Sequence, residues 1–231
     1  YSMKFKLDKI KKFYDIGYLK KLCSQIGKEN FASTIQCYLE YITVEYLKCL
    51  EKKYKIKNIC FSGGVFANII LSLKIYESFK FKKIFIVPAM TDDGTASGAA
   101  ILSALKKKSN IKWIKKFNLP YYGDSFTKEE ILIDLKKNCK NIDFKYLGKK
   151  WPIKAAETIL DNKVIAIFNN SMEYGPRALG NRSIMANAFN PKMRDILNLK
   201  VKKRPKYQPF CPSILKEDRE KLFLSSFNHK F

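Results

Sequence analysis

The chain has 231 residues, 46% of them hydrophobic and 14% aromatic, with six cysteines, one histidine and a formal net charge of +24. That length suits one large domain or two smaller ones, and the apolar content is too high for an intrinsically disordered chain. No apolar run reaches the roughly 20 residues of a membrane-spanning helix, the cysteines show no CxxC spacing, and a lone His229 excludes a histidine-based metal site or a Ser-His-Asp triad from this chain alone.

The N-terminal stretch YSMKFKLDKIKKF is basic but is not followed by the apolar segment of a signal peptide. With no disulfide or zinc pattern, the six thiols read as reduced, and the expectation is a cytoplasmic protein. The lysines are scattered in short runs such as DKIKKF, EKKYKIK and KFKK. They read as solvated faces produced by a compositional bias rather than as a nucleic-acid footprint, which would show itself by steeply salt-dependent binding.

Residues 29–53 carry apolar side chains at 31, 35, 39, 42, 46, 47 and 50, which predicts a helix. IKNICFS (56–62) predicts a buried strand, VFANIILSLKIYESF (65–79) a helix, and KKIFIVPAM (82–90) a second strand stopped by Pro88. TASGAAILSALKK (95–107) predicts a helix whose small residues suit close packing on a sheet. The alternation of strands and helices predicts an α/β fold with parallel pairing. Residues 108–150 read as a connecting segment holding one helix over 127–139, where Thr127 and Glu130 are spaced as a capping box. From Trp151 a second unit is expected: a helix over PIKAAETILDNK, a strand over VIAIFNN (164–170), an arginine-bearing loop, a helix over PKMRDILNLKV, and the proline-rich RPKYQPFCPSIL.

Three constellations carry chemistry. Ser62-Gly63-Gly64 lies between a predicted strand and helix, where glycine backbone approaches a ligand closely and free N–H groups meet an anion; the same glycines would also serve a plain tight turn. Asn68, one turn on, could aim its amide at such a ligand or lie on the helix surface. TDDG places Asp92 and Asp93 at the carboxyl end of a strand, where α/β folds bind ligands and a carboxylate can hold a cation; Asp-Asp-Gly is equally good turn chemistry. The third is EYGPRALGNRS, residues 173–183. Of 45 basic residues only five are arginine, and all of them (Arg177, Arg182, Arg194, Arg204, Arg219) fall between 177 and 219. A guanidinium engages phosphate or carboxylate through a planar fork that lysine lacks. The cluster with Asn181 and Ser183 therefore predicts an oxyanion-binding loop, against the alternative of arginines that tie loops to carbonyls or to Glu173.

These residues resemble the O-carbamoyltransferases of the nodulation and antibiotic-tailoring type. CFSGGVFAN resembles that family's glycine loop, PAMTDDGTASGAA its aspartate-glycine block, and SMEYGPRALGNRSIMANAFNPKMRDILNLKVKKR its most specific signature, over roughly residues 30 to 215. The resemblance implies that residues 1–107 are the C-terminal lobe of an actin-like, sugar-kinase-like carbamoyl-transfer domain. It implies that 108–150 connect this lobe to a YrdC-like domain over 151–231 that makes carbamoyl-adenylate from ATP and carbamoyl phosphate. The carbamoyl group would pass to a hydroxyl of a small-molecule acceptor. The implied roles are nucleotide contact by Gly63, Gly64, Asn68 and Gly94 and metal ligation by Asp92, with iron(II) or magnesium as the cation. Arg177, Arg182 and Ser183 are implied as catalytic groups, and Asn181 and Arg204 as further lining of the carbamoyl-phosphate and ATP pocket.

The sequence departs from the family pattern in three ways. The histidine pair of the family's metal site is absent, so the chain is expected to be an internal or C-terminal portion of a longer protein: the first lobe, which would belong to the same polypeptide, is missing from this chain, and the second domain is cut short. Gln208, in Tyr207-Gln208-Pro209-Phe210, stands where the family carries an arginine, and Phe168-Asn169-Asn170-Ser171 replaces its usual Gln-Gly. Two other readings remain open: a non-catalytic nucleotide-binding or scaffold fragment, and a related carbamoyl-adenylate enzyme with a macromolecular acceptor.

Overall fold

A computed structural model describes residues 15–107, 110, 112, 120–139 and 141–222. The basic N-terminal stretch, most of 108–119 and His229 lie outside the described residues. The chain divides into two compact units, the first of residues 1–120 with 174–177, the second of 121–173 with 178–231.

In the first unit, α1 (Ile16–Ile26) starts at Asp15, whose carboxylate accepts N–H bonds from Gly17 and Tyr18, satisfying donors that a helix start leaves free. Gly27, at φ +84°, separates it from α2 (Lys28–Tyr54). β1 (Asn58–Phe61) and β2 (Lys83–Ile86) pair in parallel, with Phe61 opposite Ile86, as the alternating pattern predicts. Between them the expected continuous helix is broken. Gly64–Ala67 form a 3₁₀ turn and α3 (Ile69–Ser78) begins anew at Asn68, whose side chain accepts the Leu71 N–H at 3.0 Å. An asparagine competes with the backbone for its own hydrogen bonds, which favours a helix cap over a helix interior. α4 (Gly94–Lys106) follows β2.

One face of the sheet packs on α2 and α3. Val44, Leu47, Phe61, Leu71, Ile75 and Phe79 form a buried cluster, with Phe61 stacked on Phe66 at a 4.3 Å centroid separation. Burial of this kind is worth about 1.5–3 kcal/mol per large apolar side chain.

In the second unit, α5 (Lys128–Asn138) carries the predicted capping box: the Glu130 N–H bonds Thr127 Oγ1, and the Thr127 N–H bonds the Glu130 carboxylate. α6 (Trp151–Leu160) precedes β3 (Ile165–Phe168). β3 pairs antiparallel with β4 (Arg182–Met185), a strand where the sequence reading expected only the arginine-bearing loop. The helix expected over PKMRDILNLKV is one α-turn, α7 (Met193–Asp195), that continues as a π-helix over Ile196–Val201. A short helix α8 (Arg219–Leu222) follows. The molecule is thus mixed α/β, as expected.

Candidate functional site

The carboxyl ends of β1 and β2 gather three separate stretches of the first unit. Ser62-Gly63-Gly64 leaves β1, with Gly63 at φ +114° and its N–H donated to the Met90 carbonyl at 2.7 Å. A Cβ on Gly63 or Gly64 would meet no atom within 4 Å, so open space lies over this loop. Among the described residues the Gly64 N–H finds no acceptor and the Ser62 hydroxyl no partner. The TDDG turn leaves β2. Asp92 is exposed with no side-chain hydrogen bond among the described residues, whereas the Asp93 carboxylate accepts the Thr91 hydroxyl. Gly94 is required for a different reason: a Cβ there would lie 2.2 Å from the Ala89 carbonyl oxygen.

The third stretch is Tyr174–Arg177. The Tyr174 hydroxyl bonds Ser97 on α4, and the Tyr174 N–H donates to the Pro120 carbonyl. Gly175, at φ +114°, sits so near Pro88 that a Cβ would lie 2.4 Å from its carbonyl oxygen. Arg177 is exposed, and one terminal nitrogen donates to the Ala67 carbonyl at 2.7 Å. A guanidinium has five N–H donors, so most of this fork makes no bond within the described residues.

Asn68, expected beside a ligand, is occupied by the protein. Besides capping α3 it donates to Gln36 Oε1 at 2.7 Å. Among the described residues no three His, Cys, Asp or Glu side chains cluster as a metal site, so Asp92 stands as a single candidate ligand and the described residues do not by themselves hold a cation.

The rest of the arginine stretch belongs to the second unit and is internally satisfied. Glu173 is buried, and its carboxylate accepts N–H groups from Leu179 (2.8 Å), Asn181 (2.8 Å) and Arg182 (3.0 Å). Burial alone would raise its pKa, but these backbone donors outweigh it and hold the carboxyl below its ordinary value. Arg182 donates to the carbonyls of Asn169, Asn170, Asn181 and Asp124 and lies over the Phe168 ring at 3.5 Å. Ser183 Oγ accepts the Gly180 N–H, and the Asn181 amide donates to the Ser171 carbonyl. Arg204 donates Nε to Asn198 Oδ1 at 2.7 Å and lies over the Phe210 ring. Asn198 is fully buried and its amide donates to the carbonyls of Lys206 and Gln208.

The structure therefore brings Gly63, Gly64, Asp92, Gly94 and Arg177 into one unit and Asn181, Arg182, Ser183 and Arg204 into the other. The sequence reading did not single out Asn198, and it named Glu173 only as a partner for arginine side chains; the carboxylate instead accepts backbone N–H groups. A polar residue inside the apolar run ILNLKV was the available signal for Asn198.

Comparison with known proteins bears on both units. Residues 2–101 match the family described as carbamoyltransferase N-terminus, and residues 156–231 the one described as carbamoyltransferase C-terminus. The chain is 48% identical over 223 residues to an uncharacterized protein, MJ1058, of Methanocaldococcus jannaschii, covering 96% of this chain and 37% of that protein. It is 33% identical over 199 residues to nodulation protein NolO of Bradyrhizobium diazoefficiens, covering 84% of this chain and 35% of that protein. It is 32% identical over 205 residues to nodulation protein NolNO of Sinorhizobium fredii, covering 84% of this chain and 28% of that protein. The chain thus spans about a third of the length of these relatives.

Proposed function

The chain belongs to the carbamoyltransferase family, and from that premise we propose that it is part of an enzyme that activates a carbamoyl group with ATP and passes it to a hydroxyl. In this reading the first unit is the second lobe of an actin-like ATPase domain and the second unit part of a YrdC-like domain. Water takes the phosphoryl group of carbamoyl phosphate and leaves carbamate. A carbamate oxygen attacks the α-phosphorus of ATP, pyrophosphate departs, and carbamoyl-adenylate remains. The acceptor oxygen then attacks the carbamoyl carbon, AMP leaves, and the hydroxyl proton passes to solvent or a nearby base.

The observation that carries this reading is the coincidence of the family match with free donors at the carboxyl ends of β1 and β2. Both substrates are polyanions, and preorganised N–H and guanidinium donors stabilise charge that spreads over phosphate oxygens. Gly64 and Arg177 supply such donors. Arg182, Asn181, Ser183 and Arg204 hold the second unit's loops in a fixed geometry, and the remaining fork donors of Arg182 and Arg204 are the candidates for carbamoyl phosphate there. Asp92 is offered as one ligand to a divalent cation whose other ligands lie outside the described residues, and no step is routed through it. A mixed anhydride hydrolyses readily, so both steps are expected to proceed shielded from bulk water.

The test is to incubate the full-length protein with ATP and carbamoyl phosphate and follow pyrophosphate. Release that requires carbamoyl phosphate is expected. Release of ADP instead, or no nucleotide turnover with carbamoyl phosphate present, overturns the adenylate route.

A further inference from the structure

We infer that Arg177 is a nucleotide-phosphate ligand of the first unit's glycine loop, and not, as its place in EYGPRALGNRS suggests, of the loop that follows it. The inference rests on the proposed use of ATP and assigns one residue of that site. Two arginines five positions apart in sequence have different environments. Arg182 is half-buried: it donates to four carbonyls and stacks on an aromatic ring. Arg177 is exposed and, among the described residues, makes a single bond, to the carbonyl that closes the 3₁₀ turn after Gly63-Gly64.

That single bond is directional. It holds Nη2 against the turn by one of its two hydrogens, and the second hydrogen of that nitrogen, paired with Nε or with Nη1, is left able to take two oxygens of one phosphate. The backbone that delivers Arg177 is held on both sides of β2's end. Tyr174 bonds Ser97, and Gly175 lies against Pro88 with a clearance that no other residue could meet. Gly175 also adopts φ +114°, which L side chains rarely reach. Such constraint would be wasted on an arginine free to sweep through solvent. It ties a planar cation to the last residue of the four-residue turn that Gly64 opens, and open space lies over Gly63 and Gly64. The chemical class that matches a bidentate fork and a backbone N–H is a phosphate group, here a phosphate of ATP or of the adenylate.

Amide hydrogen exchange on the full-length protein, titrated with ATP and magnesium, tests this. Wild type is expected to show slowed exchange over residues 62–68. In Arg177→Ala the ATP concentration for half-maximal slowing is expected to rise about ten- to hundredfold, the loss of a charge-assisted pair, with Arg177→Lys between them because it keeps the charge and loses the fork. Exchange within α2 and α3 reports folding of each variant; if Arg177→Ala fails to fold, Arg177→Lys decides alone. Slowing over 62–68 at the wild-type concentration in both variants overturns the inference. So does a wild type in which ATP slows none of these amides. Loss of the carbamoyl-phosphate requirement in pyrophosphate release would instead sink the proposed function and leave the Arg177 assignment standing wherever ATP still protects 62–68.

Discussion

The two units are held together by different means. In the first, the fully enclosed groups are apolar: Leu71 and Ile75 of α3 stand at the centre of a cluster with Val44, Leu47, Phe61 and Phe79. In the second, the buried apolar side chains among the described residues are Met193 and Leu197, and beside them two polar groups are buried, Glu173 and Asn198. Each polar group gathers a loop by its backbone. An apolar core leaves the polar groups at its rim free for ligand, whereas a unit built on buried polar hubs uses its N–H and C=O groups on itself. The difference explains why open donors collect at the carboxyl ends of β1 and β2 and why the GNRS loop is largely self-satisfied.

The contrast is broken most severely by Leu71→Ala. A cavity in a fully buried site costs about 2–5 kcal/mol, and urea denaturation followed by amide exchange over α2 and α3 should show the loss in the first unit. Asn198→Ala is the matching test of the second. It leaves two carbonyls and the Arg204 Nε without their partner, at a cost of about 1–3 kcal/mol, and should release exchange over residues 204–208.

Acid sharpens the comparison further. The folded pKa of Glu173 is depressed, so its contribution is present above the unfolded value of about 4.3 and fades as pH falls through the folded one. The melting temperature should therefore fall on acidification with a component that Glu173→Gln removes. An unchanged acid dependence in that variant would contradict the backbone-clamp role. The smallest expected effect is on stability in Arg177→Ala. The side chain is exposed with one hydrogen bond among the described residues, so the urea midpoint should stay unchanged within error while the ATP concentration needed to protect 62–68 rises.

The first unit was largely legible in the sequence because its signals are local and periodic. The apolar spacing of 29–53 gave α2 nearly to its ends, and Pro88, with no N–H to donate, marked where β2 stops. The Thr127 and Glu130 pair marked the start of α5 in the second unit. Asn68 was misplaced by one element, since a cap in the middle of an apolar run looks like a helix interior. β4 was hidden for a different reason. Its four residues, Arg182–Met185, carry no alternating pattern and become a strand by pairing with β3 across the intervening loop, a non-local contact that no window of sequence contains. The arginine cluster signalled something real, yet composition could not divide it. Arg177 and Arg182 share one motif, and only the tertiary environment separates a guanidinium that faces solvent from one that braces a loop.

The most direct measurement is amide exchange in the ligand-free protein at single-residue resolution. The account predicts slow exchange at Leu179, Asn181 and Arg182, whose N–H groups are bound to Glu173, and fast exchange at Gly64, whose N–H finds no acceptor among the described residues. Fast exchange at 179–182 that slows only on adding substrate would contradict it, because the second unit's loop would then be the open anion site and the first unit's glycine loop would not.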